Sequence, residues 1–210
     1  MRMIDLKYRW SQEESEIPSS QWILADTISD LRTEENSIST WYLRDLSLEE
    51  KKKGVQALTS GFRSLDSIHV VFMDCSIIEK NGLMLNVNEG VTKIEQFKML
   101  HRDIEVMNVV GLQKLAMEIF KCIWSDKTEV FYKEQISRWL LDALNDSLLE
   151  FKSLEKGMQQ SLAASINNLI KNKKIDKNNI AADVWSAIDI QLRQNKKKTN
   201  CQYELECPKY

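Results

Sequence analysis

Three features of the 210-residue sequence predict an α+β fold, a small mixed β-sheet with helical cover followed by a helical C-terminal half. Apolar residues alternate at period two near the N-terminus, a continuous apolar run of strand length follows a helical segment, and beyond residue 104 the apolar spacing becomes three and four. Composition permits such a fold, since 43% of the residues are hydrophobic against six Gly and two Pro. That is enough apolar surface to offset the entropy of ordering, which excludes the disordered, collagenous and proline-rich classes.

Residues 3–10 set Ile4, Leu6, Tyr8 and Trp10 on one face and Asp5, Lys7 and Arg9 on the other, the pattern of a half-buried strand. Residues 11–20 form a Ser/Glu/Pro loop, and 27–32 with 37–43 make a hairpin candidate around the polar turn 33–36. A helix is expected over 48–58: Leu48, Val55 and Leu58 share one side, Ser47 is placed to cap, Glu50 stands three residues on as in a capping box, and Gly61 ends it. Residues 68–73, Ile-His-Val-Val-Phe-Met, read as a central strand covered on both faces. Strand, helix and buried strand in that order imply a right-handed crossover.

Four helices follow. Residues 104–124 hold 14 apolar residues of 21, spread around more than one face, so this helix should be central and buried. Over 133–151, Ile136, Trp139, Leu140, Ala143, Leu144, Leu148 and Phe151 form a single stripe, and Leu154, Met158, Leu162, Ile166 and Leu169 form the next. Asp176 is placed to cap the last helix, with Ile175 and Ile180 as a hydrophobic staple and Ile180, Val184, Trp185 and Ile188 as its buried stripe. The domain expectation is a mixed-sheet region with one crossover helix over 1–92, a helical region packed on it over 93–195, either as one continuous domain with it or as two tightly apposed ones, and a basic flexible tail over 196–210.

Charge excludes a polyelectrolyte, because 29 Lys+Arg stand against 31 Asp+Glu for a net of −2. The balance is uneven: residues 1–126 carry 15 basic and 20 acidic residues, residues 127–210 carry 14 and 11. No apolar run near the N-terminus suits a signal peptide, and Glu105, Lys114, Glu118 and Lys121 make residues 104–124 too charged for a membrane span. A cytoplasmic protein with reduced Cys75, Cys122, Cys201 and Cys207 is expected.

One segment carries a family-like motif. His101-Arg-Asp103-Ile-Glu-Val-Met-Asn108 resembles the catalytic loop of protein kinases, in which an Asp accepts the substrate proton and an Asn holds magnesium. The resemblance covers eight residues, with no glycine-rich loop or strand lysine before it and no Asp-Phe-Gly after it. Helical spacing through Ile104, Met107 and Val110 assigns the segment instead to the start of the buried helix.

Asp74 ends the buried strand, where open α/β folds hold ligands and metals, and is the candidate for a magnesium-dependent nuclease or phosphoesterase. Asp26, Asp30 and Asp45 stand near other strand ends without completing a recognised spacing, so the competing reading is that Asp74 caps the turn that follows it. His69 and His101 offer no zinc-ligand spacing with the cysteines, and neither a nucleophile elbow nor a phosphate-binding glycine loop is present. No cofactor is implied. Lys196, Lys197 and Lys198 form a candidate phosphate patch without interleaved aromatics, and Trp22 and Trp41, flanking loops, are candidate anchors for a partner. A good core with few catalytic groups favours a non-enzymatic protein-binding protein of adaptor, immunity or defence-accessory type, whose acidic first half would steer a basic partner. The nuclease using Asp74 is the alternative, and nucleic-acid binding by the lysines the third reading.

Overall fold

The computed structural model describes residues 2–3, 38–105 and 108–205. The α+β class holds. In chain order the elements are β1 (Arg2–Met3), β2 (Ile38–Trp41), α1 (Leu48–Ser60), β3 (Ile68–Val71), α2 (Cys75–Lys80), β4 (Met84–Val87), β5 (His101–Glu105), α3 (Val109–Trp124), β6 (Thr128–Phe131), α4 (Lys133–Asn145), α5 (Lys156–Lys171) and α6 (Ala182–Leu205). Two compact units share them: residues 1–54, 67–91 and 96–132 make the first, and 55–66, 92–95 and 133–210 the second. The chain thus passes between units more than once.

The first unit holds two three-stranded sheets, ordered β1-β3-β6 and β2-β5-β4. Every described pairing is antiparallel, in place of one mixed sheet with a crossover. Strand β3 is central as its apolar run predicts, with Ile68 and Val70 fully buried. Residues 4–37, including most of the first predicted strand and one arm of the hairpin, lie outside the described residues; the other arm is β2, and its partner is β5.

The predicted helix over 104–124 needs a correction. Residues 101–105 are strand β5, and the helix begins at Val109 with Asn108 as its N-cap, whose Oδ1 accepts the Gly111 N–H at 2.9 Å. A dense apolar count concealed the boundary, because one apolar residue, Ile104, belongs to the strand while the cap signal lies four residues later. The helix buries Leu115, Ala116, Ile119, Phe120 and Ile123 against Ile38, Val71, Ile78, Leu83 and Ile104, forming the core of this unit. Val109 and Val110 are exposed, so its buried surface is one-sided.

Helix α2 ends at Asn81, and Gly82 then takes φ = +72°, a left-handed conformation that glycine adopts without strain. That turn delivers the chain into β4.

In the second unit the apolar stripes read from sequence are buried: Ile136, Leu140 and Leu144 on α4, Met158, Leu162, Ile166 and Leu169 on α5, Val184 and Ile188 on α6. Trp139 is buried, whereas Trp185 is only half-buried, with the Lys177 ammonium 4.5 Å from its ring centre. Asp176 caps a short 3-10 turn (Lys177–Asn179), accepting from Asn178 N–H, and α6 starts five residues further on than the cap alone suggests. Helix α6 also runs through the lysines placed beyond it by the sequence reading; an Asp189–Arg193 pair four residues apart and the helix propensity of lysine favour its continuation.

Candidate functional site

A pocket of about 520 Å³ opens within the first unit. Pleating explains its wall. In the β2-β5-β4 ladder, Ile38 stands opposite Ile104 and Ile104 opposite Leu85, while Thr40 stands opposite Arg102. These residues share one face of the sheet, since alternate side chains point the same way, and all of them line the pocket. Buried Leu115 and Ile119 of α3, Ile78 of α2 and Val71 of β3 complete its apolar interior.

The opposite face of the same ladder carries Ser39, Trp41, His101 and Asp103. Trp41 is 7% exposed and meets the His101 ring edge-on at 5.2 Å between centroids. A Cβ on Gly90 would lie 2.6 Å from Trp41 Cη2 and 2.7 Å from His101 Cβ, so this stacked pair leaves room for glycine alone. Trp41 thus packs within the unit with its surface largely covered, and it is also among the residues that line the pocket. Trp22 lies outside the described residues.

The kinase-like residues are distributed in the same way. Asp103 accepts Ser39 Oγ–H at 3.1 Å and Asn88 Nδ2–H at 2.7 Å, and Asn108 caps α3. His101 is 7% exposed, its Nε2 stands 3.7 Å from Asp103 Oδ1, and its Nδ1 has no hydrogen-bond partner among the described residues. Strand geometry and a cap account for the motif.

Around the pocket's exposed side, residues 42–47 connect β2 to α1. Tyr42 N–H donates to Leu100 O at 2.7 Å, and Ser47 N–H to Asp45 Oδ1 at 2.8 Å. Glu50, 3% exposed, holds the loop from below: its carboxylate accepts the Arg44 N–H at 3.2 Å, the Arg44 guanidinium at 2.7 Å and the Lys53 ammonium at 2.9 Å. The Arg44 guanidinium, then Lys53, hold the Glu50 carboxyl down at about 2 against the opposing effect of burial. The capping box read from sequence is thus half realised. Ser47 Oγ accepts the Glu50 N–H at 3.4 Å, but the Glu50 carboxylate reaches back to Arg44 instead of Ser47. Tyr42 and Leu46 on this loop and Leu48 at the start of α1 are 36%, 57% and 62% exposed, so Leu48 is outside the buried stripe assigned to it from sequence.

Asp74 lines the pocket and caps α2, its Oδ1 accepting the Ser76 N–H at 2.8 Å. Hydrogen bonds from Ser76 hold its carboxyl below the ordinary range, and Ser47 does the same for Asp45. Among the described residues no group of three or more His, Cys, Asp or Glu is placed to hold a metal ion. Arg102 lies over the Tyr42 ring at 5.2 Å and donates to the Met99 and His101 carbonyls, and Lys127 is exposed at the pocket. The backbones of Lys196, Lys197 and Lys198 belong to α6, and their side chains lie outside the described residues. No described helix is long and apolar enough to cross a membrane.

The sequence pointed to Glu50 and Asp74 but missed the pocket, because the residues that line it come from separate stretches and converge only through strand pairing. Comparison with protein-family models, curated proteins and solved structures finds no match.

Proposed function

We propose that this chain is a non-enzymatic, cytoplasmic protein-binding protein of adaptor, immunity or defence-accessory type, and that the 42–47 loop with the first residue of α1 meets its partner. One observation carries this reading: Tyr42, Leu46 and Leu48 expose apolar surface on a backbone fixed by Glu50, Asp45 and Leu100. Exposed apolar side chains on a rigid loop bind with little ordering cost, which is what a recognition surface requires. The carboxylates nearby argue in the same direction. A general acid or base works best with a pKa near the operating pH, whereas Asp45, Glu50 and Asp74 are all shifted downward and stay ionised.

The test is capture from host lysate on the immobilised full chain, with Leu46→Asp/Leu48→Asp as the comparison. Both side chains are exposed, so the double variant should melt like the parent. A protein species held by the parent and lost by the variant supports the reading. Equal retention by both defeats it, as does magnesium-dependent phosphodiester hydrolysis that vanishes in Asp74→Asn.

A further inference from the structure

We infer that the pocket of the first unit binds a free, uncharged and predominantly apolar small molecule, which goes beyond recognition of a protein by the neighbouring loop. Size sets the first condition. An apolar cavity of about 150 Å³ is enough to hold benzene, and this pocket has about 520 Å³. Its volume lies within the range of roughly 300–1,000 Å³ usual for small-molecule sites. The depth at which the charges lie sets the second. Every buried residue of the lining is uncharged, from Ile38 and Ile104 on the sheet to Leu115 and Ile119 on α3, whereas the charged ones are all exposed or half-exposed. An ion drawn into that interior would lose its water with no opposite charge there to replace it.

At the mouth the charges compensate one another. Arg44 is neutralised by the Glu50 carboxylate at 2.7 Å. Lys127 stands against Asp74, whose carboxyl is held below its ordinary range by its Ser76 hydrogen bonds and then by the Lys80 and Lys127 charges. Asp45 and Arg102 add one charge of each sign. The Asp45 and Asp74 carboxylates each take a hydrogen bond from the serine two residues on and keep further acceptor capacity. Arg102 uses one terminal nitrogen on the Met99 and His101 carbonyls and keeps donors. A ligand of either sign therefore meets like charge as well as opposite charge, and gains no net attraction to offset its lost hydration. An uncharged molecule has no such loss to offset, and a single hydroxyl, which both donates and accepts, suits groups of either kind.

Fluorescence titration of the full chain with N-phenylnaphthylamine, an uncharged probe, tests this. Saturable binding to one site is expected, and anilinonaphthalene sulfonate, which adds a sulfonate to the same ring system, should bind about tenfold more weakly. Decanol should displace the uncharged probe at about tenfold lower concentration than decanoate, decyltrimethylammonium or zwitterionic decylphosphocholine, each kept below its micelle concentration. Two variants locate the binding: Ile119→Phe fills the buried interior, and Leu85→Trp narrows the pocket from a half-buried position on β4 that tolerates a larger side chain. Each should weaken the uncharged probe while melting as a folded protein. Absence of saturable binding, a charged or zwitterionic decyl compound that competes as well as decanol, or probe binding unmoved in Leu85→Trp and in folded Ile119→Phe would overturn the proposal.

Discussion

The two units close their interiors differently. In the second, buried polar groups satisfy one another: Gln56 Nε2–H donates to the Trp139 carbonyl at 2.6 Å, Ser60 and Thr92 share a hydrogen bond of 2.9 Å, and Ser137 and Ser165 share one of 2.6 Å. Around them Leu140, Met158, Leu162, Ile166 and Leu169 are almost completely buried. The first unit holds instead a pocket of about 520 Å³ and a buried His101 nitrogen without a partner among the described residues. Closely packed apolar side chains with paired polar neighbours stabilise a fold, whereas an open apolar volume sacrifices packing contacts.

The largest effects should separate the interiors. Leu162→Ala in the filled unit should cost about 2–5 kcal/mol, because the deleted atoms leave a cavity that close neighbours cannot collapse into. Leu115→Ala borders space that already exists, so its cost should fall at or below the bottom of that range, about 2 kcal/mol. Urea denaturation of both measures the contrast. If Leu115→Ala costs as much as Leu162→Ala, the pocket is not open in solution and the comparison fails.

Glycines give a second contrast, of about 1–3 kcal/mol each. A Cβ on Gly157 meets the backbone carbonyl oxygen of Arg63, which cannot swing aside, whereas one on Gly90 meets the far end of the Trp41 ring together with His101 Cβ. Gly90→Ala should therefore be partly rescued by Trp41→Phe, which removes Cη2, and a double-mutant cycle should show the coupling. Additive losses would mean that the ring was not the obstacle.

Glu50 predicts the pH response of the sheet unit. Its carboxyl is lowered from 4.5 to about 2 in the folded protein, so the stability it confers is complete above pH 4.5 and drains away as pH falls from there toward 2. Glu50→Gln should cost about 1.5–3 kcal/mol at neutral pH, the usual range for hydrogen bonds to charged groups. It should also flatten the acid limb of the melting curve against pH. An unchanged acid limb would show that the Arg44 and Lys53 bonds are not formed in solution.

How much of this was legible in the sequence depends on the range of the interaction involved. The stripes of α4 and α5 and the buried run of β3 show in local periodicity, because burial on one element repeats with the pitch of that element. Asp74 was legible for the same reason, since an N-cap bonds a residue two positions away. Strand β5 was not, because its single core residue, Ile104, adjoins a long apolar helix and its pairing with Ile38 spans 66 positions. The pocket was illegible for that reason as well: its wall exists only once β2, β5 and β4 are in register. Glu50 was half legible, with its cap recognised and its bonds to Arg44, six residues back, missed.

The smallest effect concerns Asp74, and it decides between cap and catalyst. As a cap, the side chain matters through one acceptor oxygen aimed at Ser76 N–H. Asn offers the same oxygen and ranks beside Asp at this position, whereas Ala offers none. Asp74→Ala should therefore lower the melting temperature measurably, while Asp74→Asn should stay close to the parent at neutral pH. The carboxyl's depressed pKa adds a sign: the small margin that its charge gives the parent over Asp74→Asn is present above pH 3.8 and is lost as acid protonates the native carboxylate below it. A metal site makes the opposite demand, because magnesium prefers charged oxygen ligands and neutral Asn binds it poorly. Melts of the three proteins with and without magnesium distinguish these outcomes. A magnesium-dependent rise in the parent's melting temperature that Asp74→Asn abolishes would remove Asp74 from the cap reading and return the sheet unit to catalysis.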